Sequence, residues 1–132
     1  MKSKPVITPL TLSATYQFEK TDDLIDVVEN RSGYLYSRWD NPTVVSVENA
    51  LASIEGYEHA LGFSSGMAAI STALLAFSKP NAKIVSIREV YGGTYEILNN
   101  LLPTYNIETV FKHIWETEAI LVEIETGVNI LY

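Results

Sequence analysis

The sequence predicts an α/β fold, with a mostly parallel β-sheet, helices on its faces and an extended arm at the amino end. The main observation is that apolar runs of strand length and helix length alternate from residue 59 onward in a βαβαβ rhythm. A second is that 132 residues with 47% hydrophobic side chains suffice for an apolar core. A third is that residues 5–18 are rich in Thr, Ser and Pro without a helical period, as expected of an arm that wraps a neighbouring subunit.

Two helices are predicted before the alternating region. Residues 21–30 carry apolar side chains behind acidic ones, which predicts a short helix that ends before Gly33. The next helix is predicted to begin at Asn41-Pro42, because asparagine caps free amides and proline suits the first helical position. Gly56 suits a left-handed cap at its end. The β-branched cluster at residues 44–47 favours a strand weakly, but the helical spacing of the apolar residues favours a helix.

The alternating region is assigned in order as strand, helix, strand, helix and strand, at residues 59–63, 67–77, 83–87, 93–102 and 107–111. Residues 120–124 also have the composition of a strand. The chain between them and the preceding strand is too short for a parallel crossover, which needs about a dozen residues or more. We therefore expect these last two strands to pair antiparallel, or a crossover helix to have been lost.

Composition excludes several classes of function. Nine basic and 16 acidic residues give a net charge of -7, which disfavours nucleic acids and anionic membranes as partners. The absence of cysteine excludes disulfides and thiolate chemistry, and no apolar run is long enough to span a bilayer, so a cytoplasmic protein is expected. Neither a metal-ligand cluster nor a Ser-His-Asp triad can be identified. His59 and His113 are more simply interpreted as structural or exposed.

The first candidate site is a turn between a predicted strand and a predicted helix. It reads Phe63-Ser64-Ser65-Gly66-Met67-Ala68-Ala69. The free N–H groups of a first helical turn point outward together, and Gly66 lets a ligand approach the backbone, which suits a phosphate group. The alternative is an ordinary strand-to-helix turn with a serine cap.

The second candidate combines a phenol and a guanidinium. Tyr36 and Arg38 are expected on one side of an extended segment, where they could hold a phosphate by charge-assisted hydrogen bonds. The alternative is a surface arginine beside an aromatic ring.

The third candidate is the tyrosine of Val90-Tyr91-Gly92-Gly93-Thr94-Tyr95, directly after a predicted parallel strand. Ligands bind at this end of open parallel sheets, and the Tyr91 ring could lie flat against a planar heterocycle. The alternative is a loop tyrosine with two glycines that permit the turn.

Together these segments resemble the trans-sulfuration family of pyridoxal-phosphate enzymes in Cys/Met metabolism, which includes cystathionine γ-synthase, cystathionine γ-lyase and methionine γ-lyase. The resemblance covers residues 5–111 in unbroken order and at the family's spacing. It implies part of a fold-type I, aspartate aminotransferase-like large domain. Residues 1–40 would then form the arm with a short helix, and residues 41–132 a truncated cofactor-binding domain. Its motifs are Tyr36-Ser37-Arg38, Asn41-Pro42-Thr43, residues 51–56, Ser64-Ser65-Gly66-Met67-Ala68-Ala69 and Tyr91-Gly92-Gly93-Thr94-Tyr95.

The resemblance implies a pyridoxal 5′-phosphate site. Gly66 and Met67 would offer backbone amides to the phosphate, and Tyr91 would stack on the pyridine ring and act as an acid or base. Tyr36 and Arg38 would reach the phosphate of a neighbouring subunit, which implies a homo-oligomer. The implied reactions are β- or γ-elimination or replacement on cysteine-, homoserine- or methionine-type amino acids.

This chemistry also needs a lysine and an acidic partner for the ring nitrogen, which the family supplies later in the chain. None of the six lysines stands in the family's Ser-x-Thr-Lys context, and Asn129 matches a ring-contacting asparagine under one alignment only. Whether the chain is an enzyme therefore stays open at this point. One hypothesis is a truncated subunit completed by a separately encoded carboxyl-terminal half. The other is a non-catalytic module, or a relic, that pairs with a full-length paralogue. The lysines are Lys2, Lys4, Lys20, Lys79, Lys83 and Lys112.

Overall fold

The computed structural model describes residues 5–132, which divide into two compact units. The amino-terminal unit ends at Gly62, and the carboxyl-terminal unit comprises Phe63–Tyr132. Each unit is described by itself. The predicted division into residues 1–40 and residues 41–132 stays a prediction about domains.

The amino-terminal unit begins with the segment predicted to be an arm, which has no helix or strand of its own and is held by polar contacts. The Thr11 amide donates to Thr43 Oγ1 at 2.8 Å, and the Asn41 side chain donates to the Thr11 carbonyl at 3.2 Å. Further along the arm, Thr15 forms an isolated antiparallel bridge with Tyr36. The arm therefore contacts its own chain through backbone groups that would otherwise need water.

Two helices complete this unit, α1 (Thr21–Asn30) and α2 (Pro42–Glu55), and both were predicted. The ends of α2 are set by the residues that predicted them. Asn41 Oδ1 accepts a hydrogen bond from the Thr43 amide at 2.9 Å, and Gly56 has the left-handed φ of 74° that ends a helix. Of the residues on α2, Ala52 alone is buried.

The carboxyl-terminal unit is a three-stranded parallel sheet with helices. Helix α3 (Gly66–Phe77) precedes the central strand β1 (Lys83–Ile87), and α4 (Gly92–Glu96) follows it. After β2 (Glu108–Lys112) come α5 (Thr117–Glu125) and the short β3 (Ile130–Leu131). The spatial order is β2-β1-β3, and both neighbours of β1 run parallel to it.

The core of this unit lies around β1 and the helical segment that follows α4. Ile84 and Val85 of β1 are fully buried, as are Leu98 and Leu102. These two leucines lie where α4 continues, first as a π-helical turn, Ile97–Leu101, and then as a 3₁₀ turn, Leu102–Tyr105. The predicted helix at residues 93–102 is therefore present, but its second half has wider and then tighter turns than an α-helix.

The strand predicted at residues 59–63 is wrong, since these residues have no regular secondary structure. A strand is stable only when a neighbour accepts and donates its hydrogen bonds. Within the described chain, the sheet pairs only β1, β2 and β3 with one another. Local composition therefore predicted a strand that has no partner here.

The strand predicted at residues 120–124 is also wrong, because these residues belong to α5. Neither alternative for the end of the chain is correct: no antiparallel pair forms with β2, and the crossover helix is present. It connects β2 to β3, which pairs parallel with β1 through Ile84 and Ile130. The apolar run of α5 has β-branched residues, but acidic residues at its start suit a helix amino terminus. Parallel pairing requires such a connection.

A bridging carboxylate attaches α5 to the sheet. Glu123 Oε2 lies 2.6 Å from Lys83 Nζ, and Glu123 Oε1 lies 2.9 Å from Lys112 Nζ. The hydrogen bonds from Lys83 and then from Lys112 lower the pKa of the Glu123 carboxyl below its ordinary value of 4.5. Glu123 therefore stabilises the fold above pH 4.5, and that contribution is lost as the pH falls through the lowered pKa.

We predict that Glu123→Gln lowers the free energy of unfolding at pH 7 and has little effect in acid, where the carboxyl is protonated in both states. Urea unfolding between pH 7 and pH 3, followed by circular dichroism, measures the difference between the two proteins. Glu125→Gln, at an exposed position of the same helix, is the control and should leave the profile unchanged. If the free energies of unfolding of the wild-type protein and Glu123→Gln differ by the same amount at every pH, the ionised Glu123 carboxylate does not stabilise the fold.

Candidate functional site

The amino terminus of α3 presents two backbone donors to solvent. Ser65 Oγ accepts from the Ala68 amide at 3.1 Å, and the Ser65 carbonyl accepts from the Ala69 amide at 3.1 Å. Because the helix provides no acceptor for its first two amides, those of Gly66 and Met67 remain available to a ligand. A Cβ built on exposed Gly66 would have no atom within 4 Å, so the space above these donors is open. This arrangement suits an anion such as a phosphate.

Tyr91 stands directly before α4, close to the side chain of Met67. A Cβ built on Gly93 would lie 3.0 Å from Met67 Sδ and 3.0 Å from Tyr91 Cε1, so both side chains pack against this glycine. The Tyr91 side chain is nevertheless 72% exposed. The structure thus brings together Met67 and Tyr91, two of the predicted site residues, and leaves the Tyr91 ring accessible to a planar ligand.

Tyr36 and Arg38 belong to the amino-terminal unit, where they form a different local structure from the one predicted. The amides of Trp39 and Asp40 both donate to the Tyr36 carbonyl, at 2.8 and 3.2 Å, so the segment is a turn and not extended. The turn folds the Arg38 guanidinium carbon to 5.6 Å from the centre of the Tyr36 ring, within cation–π range. Both side chains are exposed. The predicted pair is therefore adjacent, although not through the i, i+2 geometry of a strand.

Arg38 also lines a cavity of about 270 Å³ in this unit. Asp40 and Glu48 line the same cavity, and Glu48 Oε1 accepts from the Gly62 amide at 2.7 Å. Two carboxylates make the cavity itself a poor site for an anion. A phosphate would have to meet Arg38 on its exposed side.

The lysines do not supply the missing reactive amine at the candidate site. Lys83 begins β1, and its Nζ is bound to Glu123, as is that of Lys112. Lys20 and Lys79 flank helices on the surface, and Lys2 and Lys4 lie outside the described residues. Asn129 accepts from the Lys83 amide at 2.8 Å and so lies at the amino end of β1, opposite the end that leads to Tyr91.

A further cluster at the carboxyl end of the sheet was not predicted. Glu89 follows β1, and its Oε1 lies 2.6 Å from Nδ1 of His113, which follows β2. The hydrogen bond from His113 is the main cause that lowers the pKa of the Glu89 carboxyl. Trp115 stacks on the His113 ring at 4.5 Å with an interplanar angle of 4°. The signal available in the sequence was a titratable residue two positions after the end of each of two predicted parallel strands.

Two negative observations concern the described part of the chain. Residues 5–132 hold no group of three or more His, Cys, Asp or Glu side chains arranged to bind a metal ion. No helix in the same range has the length and the apolar character needed to cross a membrane.

The profile of the family described as "Cys/Met metabolism PLP-dependent enzyme" matches residues 1–132. The chain belongs to this family. Its relatives include a probable cystathionine γ-synthase of Herpetosiphon aurantiacus, which is 31% identical over 96% of this chain and 37% of the relative. A methionine γ-lyase of Arabidopsis thaliana is 35% identical over 91% of this chain and 29% of the relative. The predicted family is confirmed, and the chain spans about a third of these relatives' length.

Solved structures confirm the predicted fold class, a partial fold-type I α/β domain of a Cys/Met metabolism enzyme. A putative O-acetylhomoserine (thiol)-lyase of Campylobacter jejuni superposes with a TM-score of 0.81 and 26% identity, over 92% of this chain and 30% of that one. That structure contains N′-pyridoxyl-lysine-5′-monophosphate. The metB protein of Corynebacterium glutamicum superposes with a TM-score of 0.77 and 30% identity, over 96% of this chain and 31% of that one.

The packing at Gly93 gives a testable difference between neighbouring glycines. Gly92 and Gly93 both occupy the first turn of α4, but a Cβ at Gly92 would have no atom within 4 Å. Gly92→Ala should therefore raise the free energy of unfolding by about 0.4–1 kcal/mol, because alanine restricts the unfolded chain. Gly93→Ala should raise the free energy of unfolding by less, or not at all, because its methyl group displaces the side chain of Met67 or Tyr91. Urea unfolding of both variants measures this, and equal gains would contradict the close packing at Gly93.

Proposed function

We propose that this chain forms the amino-terminal part of a pyridoxal-phosphate-dependent trans-sulfuration enzyme subunit. The proposed reactions are β- or γ-elimination or replacement on cysteine-, homoserine- or methionine-type amino acids. The observation that carries the proposal is the pair of available amides at Gly66 and Met67, with the exposed ring of Tyr91 beside Met67. Membership of the family supports the cofactor and the reaction class.

The cofactor phosphate would be held at the start of α3. The amides of Gly66 and Met67 donate, and the positive end of the helix macrodipole favours the negative charge. Ser65 Oγ accepts from the Ala68 amide as the helix cap, which fixes the first turn and leaves the Ser65 O–H able to donate to the ligand as well. Gly66 permits close approach, because it has no side chain of its own.

Tyr91 would serve two purposes. Its accessible ring is proposed to lie against the pyridine ring, where offset stacking of aromatic faces is favourable. Its hydroxyl would hold or transfer the proton that moves during elimination at the substrate's γ carbon. Met67 and Gly93 support the ring from one side, so the orientation of the phenol is restricted before the ligand binds.

Tyr36 and Arg38 would act on the phosphate of a neighbouring subunit. Both side chains are exposed, and the guanidinium lies over the phenol ring, which restricts its orientation. Arginine and tyrosine can together supply charge-assisted hydrogen bonds to phosphate oxygens. The complete pocket would then be a property of a homo-oligomer.

When bound, pyridoxal phosphate provides the electron sink for the carbanion chemistry, through a lysine and a protonated ring nitrogen. The relatives are about three times as long as this chain, so we propose that both groups come from the remainder of the fold. An apolar groove between α3 and β3, of about 340 Å³, supports a docking role for that remainder. Its walls include Ile70, Leu74, Phe77, Ile130 and Tyr132.

One observation favours a second candidate, a non-catalytic module or relic that pairs with a full-length paralogue. The apolar face of α2 is open to solvent, and an open apolar helix face marks an interaction surface. In either case the partner would cover this face. The exposed side chains are Val44 at 48%, Val47 at 55%, Leu51 at 49% and Ile54 at 77%.

The role of the α3 amides can be tested by removing one donor without changing a side chain that packs. Proline lacks an N–H but is tolerated at the first helical position, and the extended Ser65, with φ -158° and ψ 158°, suits the residue before a proline. Gly66→Pro should weaken binding of pyridoxine 5′-phosphate about tenfold or more, because a hydrogen bond to a charged group contributes about 1.5–3 kcal/mol. Calorimetric titration of the full chain measures the affinity.

Gly66→Ala is the matched control, since it keeps the N–H and its methyl group has room. Pyridoxine 5′-phosphate carries an alcohol in place of the aldehyde, so it cannot react with surface lysines. If the proline and alanine variants bind equally well, the amide of Gly66 does not hold the phosphate.

Complementation with the remainder of the fold distinguishes the enzyme subunit from the non-catalytic module. Mixing the chain with a polypeptide that carries the lysine-bearing remainder of a family member should restore the visible absorbance of bound cofactor if the chain is part of an enzyme. Binding to a full-length relative, without any gain in cofactor absorbance from the mixture, would instead support the non-catalytic module.

A further inference from the structure

We propose that Glu89 is a positioning residue whose carboxylate, held by the loop after β2, fixes the turn that carries Tyr91. The importance of Tyr91 rests on the proposed function. The coupling between Glu89 and the Tyr91 turn rests only on the contacts of Glu89 with the loop after β2.

The chain that leaves β1 is tied to the chain that leaves β2 at successive points. The Arg88 amide donates to the Lys112 carbonyl at 2.8 Å, which extends the ladder of the sheet. Glu89 then uses both carboxylate oxygens: Oε1 accepts from His113 Nδ1 at 2.6 Å, and Oε2 accepts from the Ile114 amide at 3.1 Å. A carboxylate can only accept, so the imidazole carries its proton on Nδ1.

The loop after β2 is itself restrained, so it can serve as an anchor. The ring of His113 is stacked in parallel on Trp115, which fixes its plane. The amide of His113 donates to the Glu116 carboxylate, and the Glu116 amide donates back to the His113 carbonyl at 2.9 Å. Glu89 is thus bound to a loop with its own internal hydrogen bonds and not to a single mobile side chain.

Tyr91 depends on this anchor because its ring is packed on one side only, against Met67 and Gly93. The side chain is 72% exposed, and one residue, Val90, separates it from Glu89. On the other side, the Tyr91 carbonyl accepts from the Tyr95 amide at 3.0 Å at the start of α4. The direction of the ring therefore follows the backbone between two fixed points, and the Glu89 carboxylate is the first of them.

Charge supports the arrangement at neutral pH. The hydrogen bond from His113 is the largest cause that lowers the pKa of the Glu89 carboxyl, so the acceptor is ionised. The other charged groups on the two connecting segments are Arg88, Lys112 and Glu116, and Lys112 is engaged with Glu123. Replacing Glu89 by alanine removes the acceptor for two donors at once.

The experiment follows the Tyr91 ring directly, in the full chain without cofactor. The protein is labelled with 3-fluorotyrosine, and the Tyr91 signal in the ¹⁹F NMR spectrum is assigned with Tyr91→Phe. Glu89→Ala should move or broaden the Tyr91 signal by more than its linewidth and leave the signals of tyrosines in the amino-terminal unit, such as Tyr57, unchanged. Glu89→Gln, which keeps one acceptor oxygen, should restore part of the native signal.

Glu125→Ala, at an exposed position of α5, is the control for the loss of an acidic residue in the same unit. A Tyr91 signal that stays in place in folded Glu89→Ala would overturn the proposal. If that variant does not fold, two variants of His113 test the proposal instead. His113→Asn keeps a donor for Glu89 and should retain the native Tyr91 signal, whereas His113→Ala should shift that signal. An unshifted signal in His113→Ala would equally overturn the proposal.

The result is independent of the proposed function. Pyridoxine 5′-phosphate binding can fail to respond to Gly66→Pro while the Tyr91 signal still follows Glu89, which would reject the cofactor site and keep the positioning role. Conversely, weaker binding in Gly66→Pro with an unshifted Tyr91 signal in Glu89→Ala would keep the cofactor site and reject the role of Glu89.

Discussion

The parallel pairing of β1 with both of its neighbours is the constraint on which the carboxyl-terminal unit depends. Parallel strands cannot be joined by a tight turn, so each connection must cross over the sheet as a helix. This requirement accounts for α4 with its continuation and for α5. It also places the segments that leave β1 and β2 together at the carboxyl end of the sheet, where Tyr91, Glu89 and His113 are found. Fully buried Ile84 and Val85 keep the central strand in register.

The parts of the fold that the sequence predicted are those determined by nearby residues. Asn41 and Gly56 define the ends of α2 through hydrogen bonds and a backbone conformation that involve only a few neighbours. Residues 59–63 and 120–124 were assigned wrongly because short apolar runs are compatible with a strand or a helix. In the first case the missing information is a pairing partner, and in the second it is the parallel direction of β3. Neither can be deduced from local composition.

In the candidate site, too, the features determined by nearby residues were predicted, and those that depend on distant residues were not. Gly66, Met67 and Tyr91 belong to short motifs whose geometry is local, and their role at a cofactor stays a prediction. Tyr36 and Arg38 were recognised as a pair, but the turn that joins them was not predicted, in which the amides of Trp39 and Asp40 donate to the Tyr36 carbonyl. Glu89 and His113 are 24 residues apart, and only the register of β1 with β2 brings them together.

The two outer edges of the sheet differ in a way that affects handling of the isolated chain. The β2 edge has a charge at each end, Glu108 and Lys112, and charged edge strands resist sheet-to-sheet aggregation. The β3 edge ends in Leu131 and Tyr132, which are uncharged and 57% and 41% exposed. Self-association of the purified polypeptide would therefore begin at β3. It would be favoured near the isoelectric point of about 4.7, where electrostatic repulsion between molecules disappears.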